Sequence, residues 1–278
     1  MDEKLQKVLA RAGIGSRREM ERWIEQGRVK VNDQVASIGD RVSEKDNIKV
    51  DNKLIAQRRT QIQQRVIAYH KPVGEVCTRD DPEGRKTIFS NLPNLTSGRW
   101  ISVGRLDLNT SGLLLLTTDG ELANKLMHPS SEVEREYAVR ILGEVSPEIL
   151  KELTTNVELD DGDAHFSKVT AAGGQGANHW YHVVLKEGRN REVRRLWEYF
   201  GFAVSRLTRI RYGNIKLERR LRPSKSEDLT DKEMDELYKS VDLKYVQDET
   251  PKRDKSRFKA NKNPNRSVYK GKSSGSRR

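Results

Sequence analysis

The chain has 278 residues, a formal net charge of +12 and only 34 % hydrophobic residues, so one large domain or two are expected, with the core confined to part of the sequence. A basic excess of this size favours a polyanionic partner, most commonly nucleic acid. The single cysteine, Cys77, excludes an internal disulfide and a cysteine-rich zinc site, and the five histidines are scattered. With no long apolar run and no signal-like apolar start, a cytoplasmic protein that binds no metal is predicted.

Residues 1–62 have the pattern of a compact unit that begins with two helices. Gly13 ends the first helix, Ser16 is a candidate N-cap of the second, and Gly27 is a suitable residue just beyond its end. The apolar positions at helical spacing are Leu5, Val8, Leu9 and Ala12 in the first helix, and Met20, Trp23 and Ile24 in the second. The spacing therefore predicts two short amphipathic helices separated by a glycine-rich break.

A short strand and a group of basic side chains follow these helices. Val29 and Val31 alternate with basic residues, and Asn32-Asp33 is typical of a hairpin turn. The basic residues of the second helix and the strand are Arg17, Arg18, Arg22, Arg28 and Lys30. Glutamates are interleaved with them, so a solvated, charge-mixed helix is the alternative to a nucleic-acid-binding one.

The run LQKVLARAGIGSRREMERWIEQGRVKVNDQVASIGDRV resembles the ribosomal-protein-S4-like RNA-binding domain. This resemblance implies that the basic side chains contact RNA phosphates, which position a protein on RNA rather than specify a sequence.

Residues 63–240 alternate many strand-like runs with few helical ones, among them VIAYH, EYAVRILGEV, WYHVVL and EVRRLWEYFG. This pattern favours an α+β domain on a mixed, largely antiparallel sheet. From 241 to 278 the composition changes, and residues 251–278 contain eleven Lys/Arg against one acid. We expect a disordered basic tail that binds RNA, with a merely solubilising tail as the alternative.

The segment GRLDLNTSGLLLLTTDGELANKL, residues 104–126, combines an arginine and a carboxylate in a polar loop that ends at Gly112. An apolar strand follows, so the loop is expected to be fixed against the core, a common arrangement for functional residues. On spacing alone, Asp107 is equally well interpreted as a turn or capping residue.

The same segment resembles the active-site motif of the pseudouridine synthases, in the ribosomal small-subunit (RsuA-like) branch of that family. Asp107 matches the catalytic aspartate of the motif, and Arg105 matches the arginine that helps to hold the flipped nucleotide. Further blocks agree with this resemblance. Lys71 lies in YHKPVGEVCTRDD and is expected to shape the floor of the site, and Tyr137 lies in EREYAVRI at the position of the active-site tyrosine.

A third block, LKEGRNREVRRLWEYFGFAVSRLTRIRYGNI, residues 185–215, resembles the motif in which the family keeps a basic residue that pairs with the catalytic aspartate. Counting from Gly188 favours Arg194, and Arg195 is the alternative. Burial favours the protonated form of a carboxyl group, whereas an adjacent guanidinium favours the ionised form that the reaction needs.

The resemblance implies an enzyme that isomerises a uridine of ribosomal RNA to pseudouridine without cofactor or metal, as a monomer. Four features together are most similar to family members that act on 23S rRNA: the front domain, the CTRDDPEGR loop, the EGRNREVRRLWE segment of the third block and the basic tail. The alternative target is 16S rRNA. Two further alternatives are a non-catalytic ribosome assembly factor of the same fold and a glycosylase that releases free uracil.

Overall fold

The computed structural model describes residues 2–55 and 63–246. The described residues belong to one compact unit. The predicted domain boundary at residue 62 and nearly all of the predicted tail lie outside the described residues. In the part of the chain that is described, no helix has the length and hydropathy needed to cross a membrane.

The front module, residues 2–55, packs two helices on small antiparallel sheets. Its elements are β1 (Glu3–Lys4), α1 (Leu5–Arg11), α2 (Arg17–Glu25), β2 (Val29–Val31), β3 (Gln34–Val35), β4 (Arg41–Val42), β5 (Ile48–Val50) and β6 (Lys53–Ile55). Strands β3-β2-β5-β6 form one sheet and β1 pairs with β4. The module has its own hydrophobic core, to which both helices contribute Leu5, Leu9, Met20 and Ile24.

Local sequence signals set the ends of these elements, as predicted. The Ser16 hydroxyl accepts a hydrogen bond from the Glu19 backbone N–H, and the Glu19 carboxylate accepts one from the Ser16 N–H, which is a complete capping box for α2. Asn32 and Asp33 both have positive φ, of 50° and 70°, which is the backbone of a two-residue hairpin turn.

The main domain, residues 63–246, is built on one large sheet. Its strands are β7 (Val66–Lys71), β8 (Ile101–Ser102), β9 (Ser111–Thr117), β10 (Arg135–Leu142), β11 (Val157–Leu159), β12 (Gly162–Ala164), β13 (Lys168–Gln175), β14 (Asn178–Leu185), β15 (Val204–Tyr212), β16 (Ile215–Lys216) and β17 (Ser226–Asp228). Its α-helices are α3 (Gly120–Met127), α4 (Pro147–Glu152), α5 (Glu192–Tyr199) and α6 (Asp231–Lys239).

The large sheet has nine strands in the described residues, with the order β13-β14-β10-β15-β9-β7-β17 and with β16 and β8 attached to β15 and β9. The β9–β15 pair is parallel and the other pairs are antiparallel. The predicted α+β class on a mixed, largely antiparallel sheet is therefore confirmed. Two hydrophobic clusters cover the sheet, one around Val139, Leu207 and Trp197 and the other around Leu113, Leu115 and Tyr212.

The parallel junction requires glycine at one position. Gly112 pairs with Arg209 across β9 and β15 and has a φ of +110°. A Cβ atom at Gly112 would lie 2.2 Å from the carbonyl oxygen of Arg209. The two backbones can approach this closely only because residue 112 has no side chain.

Candidate active site

A cleft of about 690 Å³ opens beside the loop that precedes β9. Its walls come from this loop, from strands β10, β14 and β15, and from the segment that leads into α5. The charged residues that line it are Asp107, Glu187 and Glu192, and Arg105, Arg135, Arg189, Arg191 and Arg209. Arginines outnumber carboxylates, so the cleft suits an anionic ligand.

The loop that carries Asp107 is fixed through its backbone. The Lys71 ammonium is fully buried and donates to the carbonyl oxygens of Asp107 at 3.1 Å and Thr110 at 2.9 Å. The carbonyl of Leu108 accepts from the Gly74 N–H at 2.9 Å, and the N–H and C=O of Leu106 both contact the Cys77 thiol. These contacts restrict the backbone of the loop. They hold the half-buried side chain of Asp107 at the cleft.

Lys71 thus lies beneath the loop and not in the cleft, so the structure does not place it where it could contact RNA. Burial lowers the pKa of Lys71, and the negative charges of Glu75 and Asp107 oppose that effect. Three carbonyl groups, with Pro72 as the third, receive its hydrogen bonds. The ammonium therefore supports the floor of the site.

The two arginines proposed as partners of Asp107 point in different directions on α5. The buried Arg194 donates to the carbonyls of Asn109 at 3.0 Å and Val204 at 2.9 Å. Arg195 instead forms an ion pair with Asp161 at 2.7 Å. Burial lowers the pKa of Arg194, and the negative charge of Asp107 partly offsets this. Arg194 is therefore the one of the two that lies under the Asp107 loop, where its hydrogen bonds go to backbone carbonyls.

Tyr137 lies on the cleft wall formed by the sheet, beside Arg209, which is its register partner on the adjacent strand β15. Tyr137 is 9 % exposed and Arg209 only 3 %. The Arg209 Nε donates to the Leu113 carbonyl at 2.7 Å and its guanidinium lies 5.1 Å from the ring centroid of Tyr212. In the described structure the buried Nη2 of Arg209 and the buried Oγ1 of Thr110 have no hydrogen-bond partner.

Unpaired buried polar atoms are costly unless a ligand satisfies them, so these two groups are candidate contacts for a substrate. Arg209 was not among the predicted site residues, although it lies in the third block. The alternation along β15, in which Leu207 and Arg209 share a face, is the signal that could have identified it. Arg135 was not predicted either, although it lies two residues before Tyr137 on the same face of β10; it is buried and donates to the Tyr212 hydroxyl at 3.2 Å.

Comparisons with known proteins agree with this geometry. A family profile described as RNA pseudouridylate synthase matches residues 65–199, and one for the S4 domain matches residues 3–48. The chain is 60 % identical over 224 residues to "Ribosomal large subunit pseudouridine synthase B" of Escherichia coli strain K12, an alignment that covers 80 % of this chain and 77 % of that protein.

The chain belongs to the RNA pseudouridine synthase family.

Other relatives extend this result. The protein of the same name in Pseudomonas aeruginosa is 58 % identical over 246 residues, which cover 88 % of this chain but 64 % of the relative's length. The Yersinia pestis protein of that name is 58 % identical over 224 residues, 80 % of this chain and 70 % of the relative. A solved structure, "Crystal structure of pseudouridylate synthase", superposes with a TM-score of 0.59 at 26 % identity and covers 84 % of this chain and 99 % of the other.

Only some of the predicted RNA-binding residues of the S4 domain are free to contact RNA. Arg17, Arg18 and Arg22 are exposed on α2. Arg28 forms an ion pair with Asp51 at 2.6 Å, and the Lys30 ammonium donates to Asn52 at 3.3 Å. The three helix arginines are therefore the ones left available to RNA phosphates.

The exposed α2 lies next to the main domain. A Cβ atom on Gly13, just before α2, would lie 3.3 Å from the carbonyl oxygen of Gly98. Burial lowers the pKa of the neighbouring Arg99, and the positive charge of Arg17 lowers it further. Cationic groups of the S4 domain and of the synthase domain are thus close together.

Proposed function

We propose that this chain isomerises a uridine of 23S ribosomal RNA to pseudouridine and that Asp107 is its catalytic carboxylate. The observation that carries the proposal is the backbone-fixed Asp107 loop at a cationic cleft, in a chain of this family. The 23S target is inferred from relatives at 58–60 % identity that are named for the large ribosomal subunit. Ribosomal RNA is made in the cytoplasm of bacteria, which is where we infer that the protein acts.

The cleft suits an extruded nucleotide. Its volume of about 690 Å³ lies in the range of roughly 300–1,000 Å³ typical of small-molecule sites. Enzymes that act on a base within folded nucleic acid flip it out of its stack, at a cost of about a few kcal/mol. The aromatic face of Tyr137 would stack on the uracil, and Asp107 would act at the sugar or base from the adjacent loop.

The surrounding cations have separate roles in this proposal. Arg105 is exposed at the cleft mouth and would contact a phosphate or the space left by the flipped base. Lys71 and Arg194 are positioning residues, because their hydrogen bonds go to the loop backbone. A direct pair between the Arg194 guanidinium and the Asp107 carboxylate stays a prediction for the RNA-bound enzyme. All these groups come from one chain, so a monomer suffices.

The test replaces Asp107 by Asn, which keeps size and removes the charge. We expect pseudouridine formation in 23S rRNA to fall by at least about 10³-fold, because the reacting group is lost, while the Kd for RNA changes less than about threefold. Asp228→Asn is the control, since Asp228 is exposed and pairs with Arg65. Appreciable turnover by Asp107→Asn would contradict the assignment, and free uracil from the wild type would indicate a glycosylase.

A further inference from the structure

One face of the large sheet, opposite the cleft, carries a row of three side chains on neighbouring strands. Arg140 of β10 is the register partner of Trp180 on β14 and of Arg206 on β15. Successive residues of a strand point to opposite faces. The next residues along β10 and β15, Val139 and Leu207, are buried in the core cluster on the cleft side. The row Trp180–Arg140–Arg206, called the back-face row below, therefore points the other way.

The two arginines of the back-face row are an unfavourable pair for the fold alone. Like charges placed directly opposite on paired strands are destabilising. Arg206 is exposed and Arg140 half-buried, and the Arg140 Nε donates to the uncharged Ser205 hydroxyl at 2.9 Å. In the described residues no carboxylate forms an ion pair with either of them.

The acidic group that shares this face does not offset their charge. Glu136 precedes Arg140 by four residues on β10 and accepts a hydrogen bond from Arg211 at 2.8 Å. His182 lies 3.5 Å from the same carboxylate. Glu136 is thus already paired, and the surface around Arg140 and Arg206 keeps a net positive charge that an anion would neutralise.

An aromatic ring completes the row. Trp180 is half-exposed, and the Arg140 guanidinium lies 5.9 Å from its ring centroid. Beyond it, Leu142 is 59 % exposed on the same face of β10. Aromatic rings beside arginines on an open sheet surface suit unpaired nucleotides, because a base can stack on the ring while the arginines bind the backbone phosphates.

We propose that the back-face row is a second RNA-binding surface, separate from the cleft, which holds a single-stranded segment of the substrate distant from the target uridine. Arg140 and Arg206 bind adjacent phosphates and Trp180 stacks on a base. The surface lies on the other side of the sheet, so only RNA that extends well beyond the nucleotide in the cleft reaches it. This inference rests on the proposed RNA substrate but not on the roles of Asp107 or Tyr137.

The experiment compares two RNAs: full-length 23S rRNA and a short stem-loop around the uridine that the wild type modifies in it. The variant Arg140→Gln/Arg206→Gln should lose at least fivefold in kcat/KM on the long RNA, chiefly through KM. On the stem-loop it should stay within twofold of wild type. Its log–log salt slope for the long RNA should fall by about 1.4, or roughly 0.7 for each phosphate contact to a single strand.

Two further variants make the outcome specific. Trp180→Leu should weaken binding of the long RNA by roughly tenfold, and Trp180→Phe should retain most of the affinity because stacking survives. Lys232→Gln/Lys239→Gln is the control, because it removes the same charge from exposed residues of α6. It should change neither the affinity nor the kcat/KM for either RNA. The Tm of the Arg140→Gln/Arg206→Gln variant should be no lower than that of the wild type, because the substitution removes a like-charged pair.

Equal losses on both RNAs, or an unchanged salt slope and affinity for the long RNA, would overturn the proposal. So would a variant that binds 23S rRNA normally but no longer binds large-subunit particles, which would indicate an acidic protein partner. If the wild type forms no pseudouridine, the proposed activity fails. The binding measurements on 23S rRNA then still test the proposal that the back-face row binds RNA.

Discussion

Asp107 depends for its position on residues from distant parts of the chain. Lys71 precedes it by 36 positions, and Arg194 reaches the carbonyl of Asn109 from 85 residues further along. The motif around Asp107 could be identified from the sequence, and helical geometry allowed only one of Arg194 and Arg195 to point inward. The buried Arg209 was missed: strand alternation could place it on the same face as Leu207, but only the fold shows that this face lines the cleft.

Arg194 and Arg195 provide a matched pair on one helix. We expect Arg194→Ala to lower the single-turnover rate by at least about 10²-fold, because a displaced loop misplaces the carboxylate. Arg195→Ala removes only a partly exposed ion pair with Asp161 and should stay within twofold in rate, at a cost of less than about 1 kcal/mol in stability. Similar rate losses in both variants would contradict these separate roles.

Glu192 is a buried acid at the start of α5, where it accepts a hydrogen bond from the Arg189 N–H at 3.0 Å. Burial raises its pKa above the ordinary 4.5, so the folded state binds this proton more tightly than the unfolded state. Its contribution to stability is present below pH 4.5 and is lost as pH rises through the folded-state pKa.

Glu192→Gln keeps the acceptor and removes the titration. The difference in Tm, variant minus wild type, should therefore be more positive at pH 7 than at pH 4. The increase should be about 2–4 °C for each kcal/mol by which ionisation of Glu192 lowers the free energy of unfolding of the wild type. Glu198→Gln, on the exposed side of the same helix, is the control and should show no such difference. A difference for Glu192→Gln that is equal at both pH values would refute this explanation.

At the scale of elements, local signals were sufficient for some features and insufficient for others. The capping residue Ser16 and the turn at Asn32-Asp33 predict α2 and the first hairpin because their partners are at most three residues away. Strand β17, Ser226–Asp228, is short and polar, and it forms only because β7 offers it an edge. The parallel pairing of β9 with β15 joins residues 97 apart, so it has no local signature.

The β9–β15 junction can be tested at Gly112. Gly112→Ala would place a methyl group 2.2 Å from the Arg209 carbonyl oxygen, and we expect a loss of at least about 3 kcal/mol in the free energy of unfolding. Gly104→Ala is the matched control, with a positive φ of 76° but open space around its Cβ position, and should cost about 1 kcal/mol. Denaturant titration of both measures the difference; equal losses would mean that backbone strain and not the strand contact dominates.

The positive charge of the chain is concentrated at its C-terminal end. Residues 251–278 contain eleven Lys/Arg against one acid, beyond the described residues. Each neutralised phosphate releases counterions, so deletion of residues 248–278 should flatten the salt dependence of RNA affinity by several log–log units. It should leave the choice of target uridine unchanged, because contacts of cationic residues with phosphates position a protein on RNA but carry no sequence information.

A triple substitution of Arg17, Arg18 and Arg22 by Gln provides the comparison with this deletion. It removes charges held on a rigid helix, so it should lower activity on natural rRNA more than it lowers non-specific binding. Salt titrations of affinity together with single-turnover rates separate the two effects. A changed target uridine after tail deletion would contradict this division of roles.

The parallel pairing of β9 and β15 also determines when the site can form during synthesis. The loop with Asp107 is translated long before Arg194 and Arg209, and Gly112 finds its partner strand 97 residues later. Pairings between residues so far apart form slowly, because a long chain segment must be closed first. A nascent chain that still lacks β15 does not yet have the cleft wall that carries Leu207, Arg209 and Tyr212. The candidate active site is thus completed only after most of the described chain has been made.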